Sequence, residues 1–97
     1  MSQAATHALA VDMEAVAVIE LDIRGQICPS ALLITLREVN GHKQALKTGV
    51  ARLHVRTDNR DSTITIPEVL TNMGYAVEVT KEEGHYLITI RIRPREG

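Results

Sequence analysis

Apolar residues along this 97-residue chain switch back and forth between two spacings, and that alternation limits what the chain can fold into. Residues 16–23 carry Ile19, Leu21 and Ile23 at period two against Val18, Glu20 and Asp22, the pattern of a half-buried strand. From Pro29 the period turns helical, with Leu32, Leu33, Leu36 and Val39 on one face of a helix reaching about Asn40. Asn40-Gly41 offers one end for it. Leu46 keeps the rhythm, so a helix or second turn running on to Thr48-Gly49 stays open. Residues 50–57 return to period two, with Leu53 and Val55 across the pleat from Arg52, His54 and Arg56. Ile66, Val69, Leu70 and Met73 fit a second helix that Gly74 can stop. Pro67 suits its first turn best, because a start near Asp61 would leave a hydrogen bond missing at the proline. Residues 75–81 and 85–93 read as a hairpin around Glu82-Glu83-Gly84, with Tyr86, Ile88, Ile90 and Ile92 sharing a face.

The order strand, helix, strand, helix, strand, strand implies parallel neighbours at the helical crossovers and an antiparallel pair at the hairpin. Both helices must bury an apolar face. The expected fold class is therefore α+β: a two-layer α/β sandwich, βαβαββ, with a four-stranded mixed sheet and two helices on one face. Residues 16–97 make a single domain, large enough for a core without metal or disulfide. Residues 1–15, rich in Ala and without Lys or Arg, read as a flexible tail. The only aromatic residues are Tyr75 and Tyr86, so an aliphatic core is expected and a base-stacking platform is not. A formal net charge of −1 leaves no electrostatic footprint for nucleic acid or an anionic membrane. The start lacks the basic residues of a secretory signal, no apolar run reaches spanning length, and a cytoplasmic location is expected.

The chemistry concentrates in Asp22-Ile23-Arg24-Gly25-Gln26-Ile27-Cys28-Pro29, where a strand ends in a polar turn and the only cysteine precedes a proline. Proline is at home at a helix start, where its missing N–H would have had no partner. Cys28 then falls at or near the N-cap, beside unpaired amides and the positive end of the helix dipole, a setting that favours thiolate over thiol. A lone cysteine is more often a small buried hydrophobe. Here the flanking turn and proline place the sulfur at an edge of the fold. With no second cysteine, a dithiol mechanism within the chain is excluded, and no histidine near in sequence supports a Cys–His hydrolase. What remains is a single thiol that accepts and donates a group at sulfur, for which a persulfide is the natural cargo.

Leu21-Asp22-x-Arg24-Gly25-x-x-Cys28-Pro29, followed by Thr57-Asp58 and Ile66-Pro67, resembles the TusA/SirA family of small sulfur-carrier proteins over about residues 18–93. The resemblance implies a βαβαββ two-layer fold. It also implies that the cysteine of a Cys-Pro-x-Pro motif, here Cys28, takes sulfane sulfur from a donor protein and relays it to an acceptor. The donor would be a cysteine desulfurase or rhodanese-like protein and the acceptor an enzyme of tRNA thiolation, cofactor sulfuration or sulfur metabolism, both bound transiently. Arg24, Gly25, Pro29, Ser30, Ala31 and Asp58 would support the site, with no cofactor and no metal. The chain departs from the motif at its second proline, reading Cys28-Pro29-Ser30-Ala31. With Pro29 at the first helical position, Ala31 would supply an amide that proline lacks, retaining thiolate stabilisation at a less rigid helix start.

The surrounding residues have plainer readings. Arg24 either steers an anionic partner or is a solvated turn residue. Asp58 either borders the site or caps the second helix, with capping favoured. Arg52, Arg56, Arg91 and Arg93 would share the outer sheet face with Glu20, Asp22 and Glu78, so cross-strand pairing accounts for them and direct nucleic-acid binding is not expected. His7, His42, His54 and His85 are dispersed, with no metal-ligand spacing to Cys28. The rival functions are a regulatory or protein-interaction module with an inert Cys28, and an RNA-binding domain on the basic face.

Overall fold

The computed structural model describes residues 16–93. Its elements in chain order are β1 (Ala17–Asp22), α1 (Ser30–Gly41), α2 (Lys43–Thr48), β2 (Ala51–Thr57), α3 (Ser62–Asn72), β3 (Tyr75–Glu82) and β4 (His85–Ile92). The expected tail, residues 1–15, lies outside the described residues.

The four strands form one sheet in the order β1-β2-β4-β3. β1 runs parallel to β2, and β4 is antiparallel to both β2 and β3. The sheet is thus mixed, as the crossover argument requires. The last strand slots between the two that α3 connects.

Side-chain alternation places the core on one face of this sheet. Along β2 every odd-numbered residue from Ala51 to Thr57 is buried and every even-numbered one is half-exposed. Leu53, Val55, Ile88 and Ile90 are fully buried, each contributing about 1.5–3 kcal/mol by leaving water. From the helices, Ala31, Val39, Leu46, Ile66 and Leu70 close the core against them. Tyr75 joins this group, so the core is not purely aliphatic: its ring is the largest buried side chain, and burial raises its phenol pKa. The opposite face carries Glu20, His54, Arg56, Thr89 and Glu78 in neighbouring register, with an Arg56–Glu20 ion pair.

One feature resolves what the periodicity left open, and two differ from the expectation. A short third helix, α2, occupies the stretch after Gly41, anchored by the fully buried Leu46 and ended by Gly49 at φ +85°. Leu33 is 61% exposed, because the buried stripe of α1 runs through Ala31, Thr35 and Val39, with Leu32 and Leu36 flanking it. α3 starts at Ser62, a full turn before Pro67, which therefore sits inside the helix. Asn59 explains the early start. Its Oδ1 accepts the Ser62 amide at 2.9 Å, supplying the cap that offsets the bond lost at the proline.

Candidate functional site at the β1–α1 and β2–α3 loops

Parallel pairing of β1 with β2 brings their following loops to the same end of the sheet, and these two loops build the site. The β1–α1 loop opens with a turn in which Gln26 N–H donates to the Ile23 carbonyl at 3.0 Å. Gly25 occupies its third position at φ +91°, a conformation that a side chain would strain. Three contacts then tie this loop to its neighbour. The Ile23 N–H donates to the Arg56 carbonyl at 2.9 Å, carrying the parallel ladder one step past β1. The Gly25 N–H donates to Asp58 Oδ1 at 3.0 Å. Cys28 Sγ lies 3.3 Å from Ser62 Oγ.

Asp58 therefore clamps the sulfur-bearing loop and does not cap the helix, contrary to the favoured expectation. Asp61 holds the N-cap position without a side-chain bond, and the acceptor for the first helical amide is Asn59, itself held because its N–H donates to Thr57 Oγ1 at 3.1 Å.

Arg24 is also accounted for. Its Nε and NH2 group donate to the two carboxylate oxygens of Asp22 at 3.0 and 2.8 Å, and its backbone N–H donates to Asp22 Oδ1 at 3.1 Å. These hydrogen bonds, side-chain first, hold the Asp22 carboxyl pKa down at about 2. The guanidinium is spent on the turn, so Arg24 acts as a strut for it.

Cys28 is half-buried, packed on one side against the core. Its other side meets the Ser62 hydroxyl at the first residue of α3. The Cys28–Pro29 peptide bond is cis. Pro29 is the N-cap residue of α1 and Ser30, exposed, its first helical residue. This shifts the frame by one position from the expected one. The Ala31 amide is not an open donor for the sulfur: it donates to the Ile27 carbonyl at 3.0 Å, and Ala31 itself is fully buried. The sulfur thus sits at the mouths of two helices, and its polar contact comes from the second.

The sequence reading missed Ser62 and Asn59. Their signal was present in Asn59-x-x-Ser62, an Asx-type cap spacing, but nothing local says that this cap faces Cys28. Among the described residues, no helix is long and apolar enough to cross a membrane.

The family model for Sulfurtransferase TusA matches residues 19–92. A solved structure, a SirA-like protein from Desulfitobacterium hafniense, is 27% identical with a TM-score of 0.64, covering 75% of this chain and 95% of that one. No curated protein sequence matches the chain. The match runs from the middle of β1 to the end of β4 and takes in both loops of the site. With the sheet order and the thiol geometry above, it establishes that the chain belongs to the TusA sulfurtransferase family.

Proposed function

We propose that the protein is a sulfur carrier that accepts sulfane sulfur on Cys28 as a persulfide and relays it to an acceptor protein. The observation that carries this reading is the position of the single cysteine. The residue is half-buried at the end of the sheet, on a loop tied down by Asp58 and Ser62. A handover between proteins needs a sulfur that a partner can reach on a backbone that stays fixed, and a half-buried cysteine on a tied loop is compatible with both. The donor in this reading is a cysteine desulfurase or rhodanese-like protein, and the acceptor an enzyme of tRNA thiolation, cofactor sulfuration or sulfur metabolism. Both contacts are transient, and the setting is the reducing cytoplasm. Arg24, Gly25, Pro29 and Asp58 support the site by shaping the loop, with Ser30 and Ala31 continuing it into α1.

Intact-mass measurement after incubation with a small persulfide donor tests the reading. The wild-type chain gains one sulfur atom, the gain reverses on adding excess thiol, and Cys28→Ser gains nothing. An unchanged wild-type mass overturns it and leaves the rival of an inert interaction module.

A further inference from the structure

Ser62 is fully buried, yet its hydroxyl has two neighbours and a single hydrogen to share between them. One neighbour is Asn59 Oδ1 at 2.9 Å, and the other is Cys28 Sγ at 3.3 Å. Asn59 Oδ1 can act only as acceptor, and it also accepts the Ser62 backbone N–H at 2.9 Å. When Cys28 is a thiol, its S–H donates to Ser62 Oγ while the hydroxyl hydrogen points at Asn59. When Cys28 is a thiolate, no S–H remains, and the hydroxyl can rotate to donate to sulfur. Asn59 Oδ1 keeps the backbone N–H in either state, so the reversal leaves no buried polar atom without a partner.

We infer that Ser62 is a catalytic residue of the sulfur relay, a rotating hydrogen-bond donor that grips Cys28 Sγ whenever that atom carries negative charge. Asn59 is the positioning residue that parks the hydroxyl between turnovers. This rests on the carrier reading above.

In loading, Cys28 Sγ as thiolate attacks the terminal sulfur of a donor persulfide. The new Sγ–S bond forms, the donor's S–S bond breaks, and its electron pair leaves on the donor thiolate. Ser62 then loses its charged partner and turns back to Asn59. In discharge, an acceptor thiolate attacks the terminal sulfur of Cys28–S–SH. The Sγ–S bond breaks and its electron pair returns to Sγ, where the Ser62 hydroxyl meets it. Sulfane sulfur moves without net oxidation, so no other reagent is required. Hydrogen bonds to an ionised group are roughly twice as strong as neutral ones, so the grip favours the charge-bearing states of both steps.

The test compares wild type, Ser62→Ala and Ser62→Thr. Ser62→Ala keeps the α3 cap, because the capping bond uses the backbone N–H, and circular dichroism checks that it folds. Alkylation of Cys28 by iodoacetamide at pH 7 is expected to fall about tenfold in Ser62→Ala, the effect of one hydrogen bond to a charged group. The deficit should vanish near about pH 10, above the ordinary thiol range. Discharge of the persulfide to glutathione at pH 7 should slow by about the same factor, and Ser62→Thr should recover most of both rates. Asp22, Arg24, Asp58, Arg60 and Asp61, the charged groups of the two loops, are common to all three chains and cancel in the comparison. Equal alkylation and discharge in wild type and Ser62→Ala overturn the inference, as does a deficit that persists undiminished at high pH. A wild-type chain that takes up no sulfur overturns the carrier reading and this role with it. A chain that loads normally while Ser62→Ala behaves as wild type removes only the role of Ser62.

Discussion

Asp22 and Arg24 show how two exposed side chains can matter without contributing much stability. Their paired hydrogen bonds keep the Asp22 carboxyl pKa at about 2, against an ordinary 3.8. A depressed carboxyl contributes its full effect above the ordinary pKa, and that effect is lost as pH falls through the folded value. The turn should therefore hold from neutral pH down to about 4 and loosen between there and about 2. Side-chain carboxyl NMR titration checks this: the Asp22 midpoint should lie near 2 in wild type and move towards 3.8 in Arg24→Gln. A wild-type midpoint near 3.8 would show the pair to be open in solution. At this scale the sequence grouped Cys28, Gly25 and Asp58 but favoured helix capping for Asp58, which instead accepts the Gly25 N–H. It could not assign their bonds, because the Gly25–Asp58 and Cys28–Ser62 contacts span 33 and 34 residues.

The element that sequence periodicity left open, α2, is where a small change should cost most. It has only six residues, too few to hold a helical conformation alone, so its helicity depends on what it packs against. Leu46 is its one fully buried side chain, and Lys47 lies 5.8 Å above the Tyr75 ring. Leu46→Ala should therefore destabilise the protein by about 2–5 kcal/mol, read as a shift of the urea midpoint at constant slope. Lys47→Ala should cost about 1 kcal/mol or less, since the ammonium of an exposed lysine 5.8 Å from the ring centroid keeps its water and interacts weakly. Equal, small effects at both positions would mean that α2 is not docked. The strands were legible because period two survives wherever one face is buried. Helix ends were not: Pro67 argued for a late start to α3, and a cap from Asn59 outweighed it.

For the whole molecule, the topology separates the thiol from the basic residues of the sheet. Cys28 and Asp58 follow the C-terminal ends of β1 and β2, whereas Arg52 stands at the start of β2 and Arg91 near the end of the antiparallel β4. From Arg52 to Asp58 is six residues of extended chain, about 20 Å at strand rise, roughly two screening lengths at physiological salt. Arg56, nearer the site, is paired with Glu20. Neutralising the far end should then leave the chemistry alone. The double variant Arg52→Gln/Arg91→Gln is expected to take up sulfur from a small persulfide donor at the wild-type rate, measured by intact mass over time. The same pair of proteins separates the RNA-binding reading. A wild-type chain retained on immobilised RNA, released steeply by salt and released early in the double variant would make the outer face a nucleic-acid surface. Equal, weak retention of both leaves the two-layer fold with one working end, the one where the parallel strands deliver their loops. A drop in sulfur uptake in the double variant would instead break the separation on which that conclusion stands.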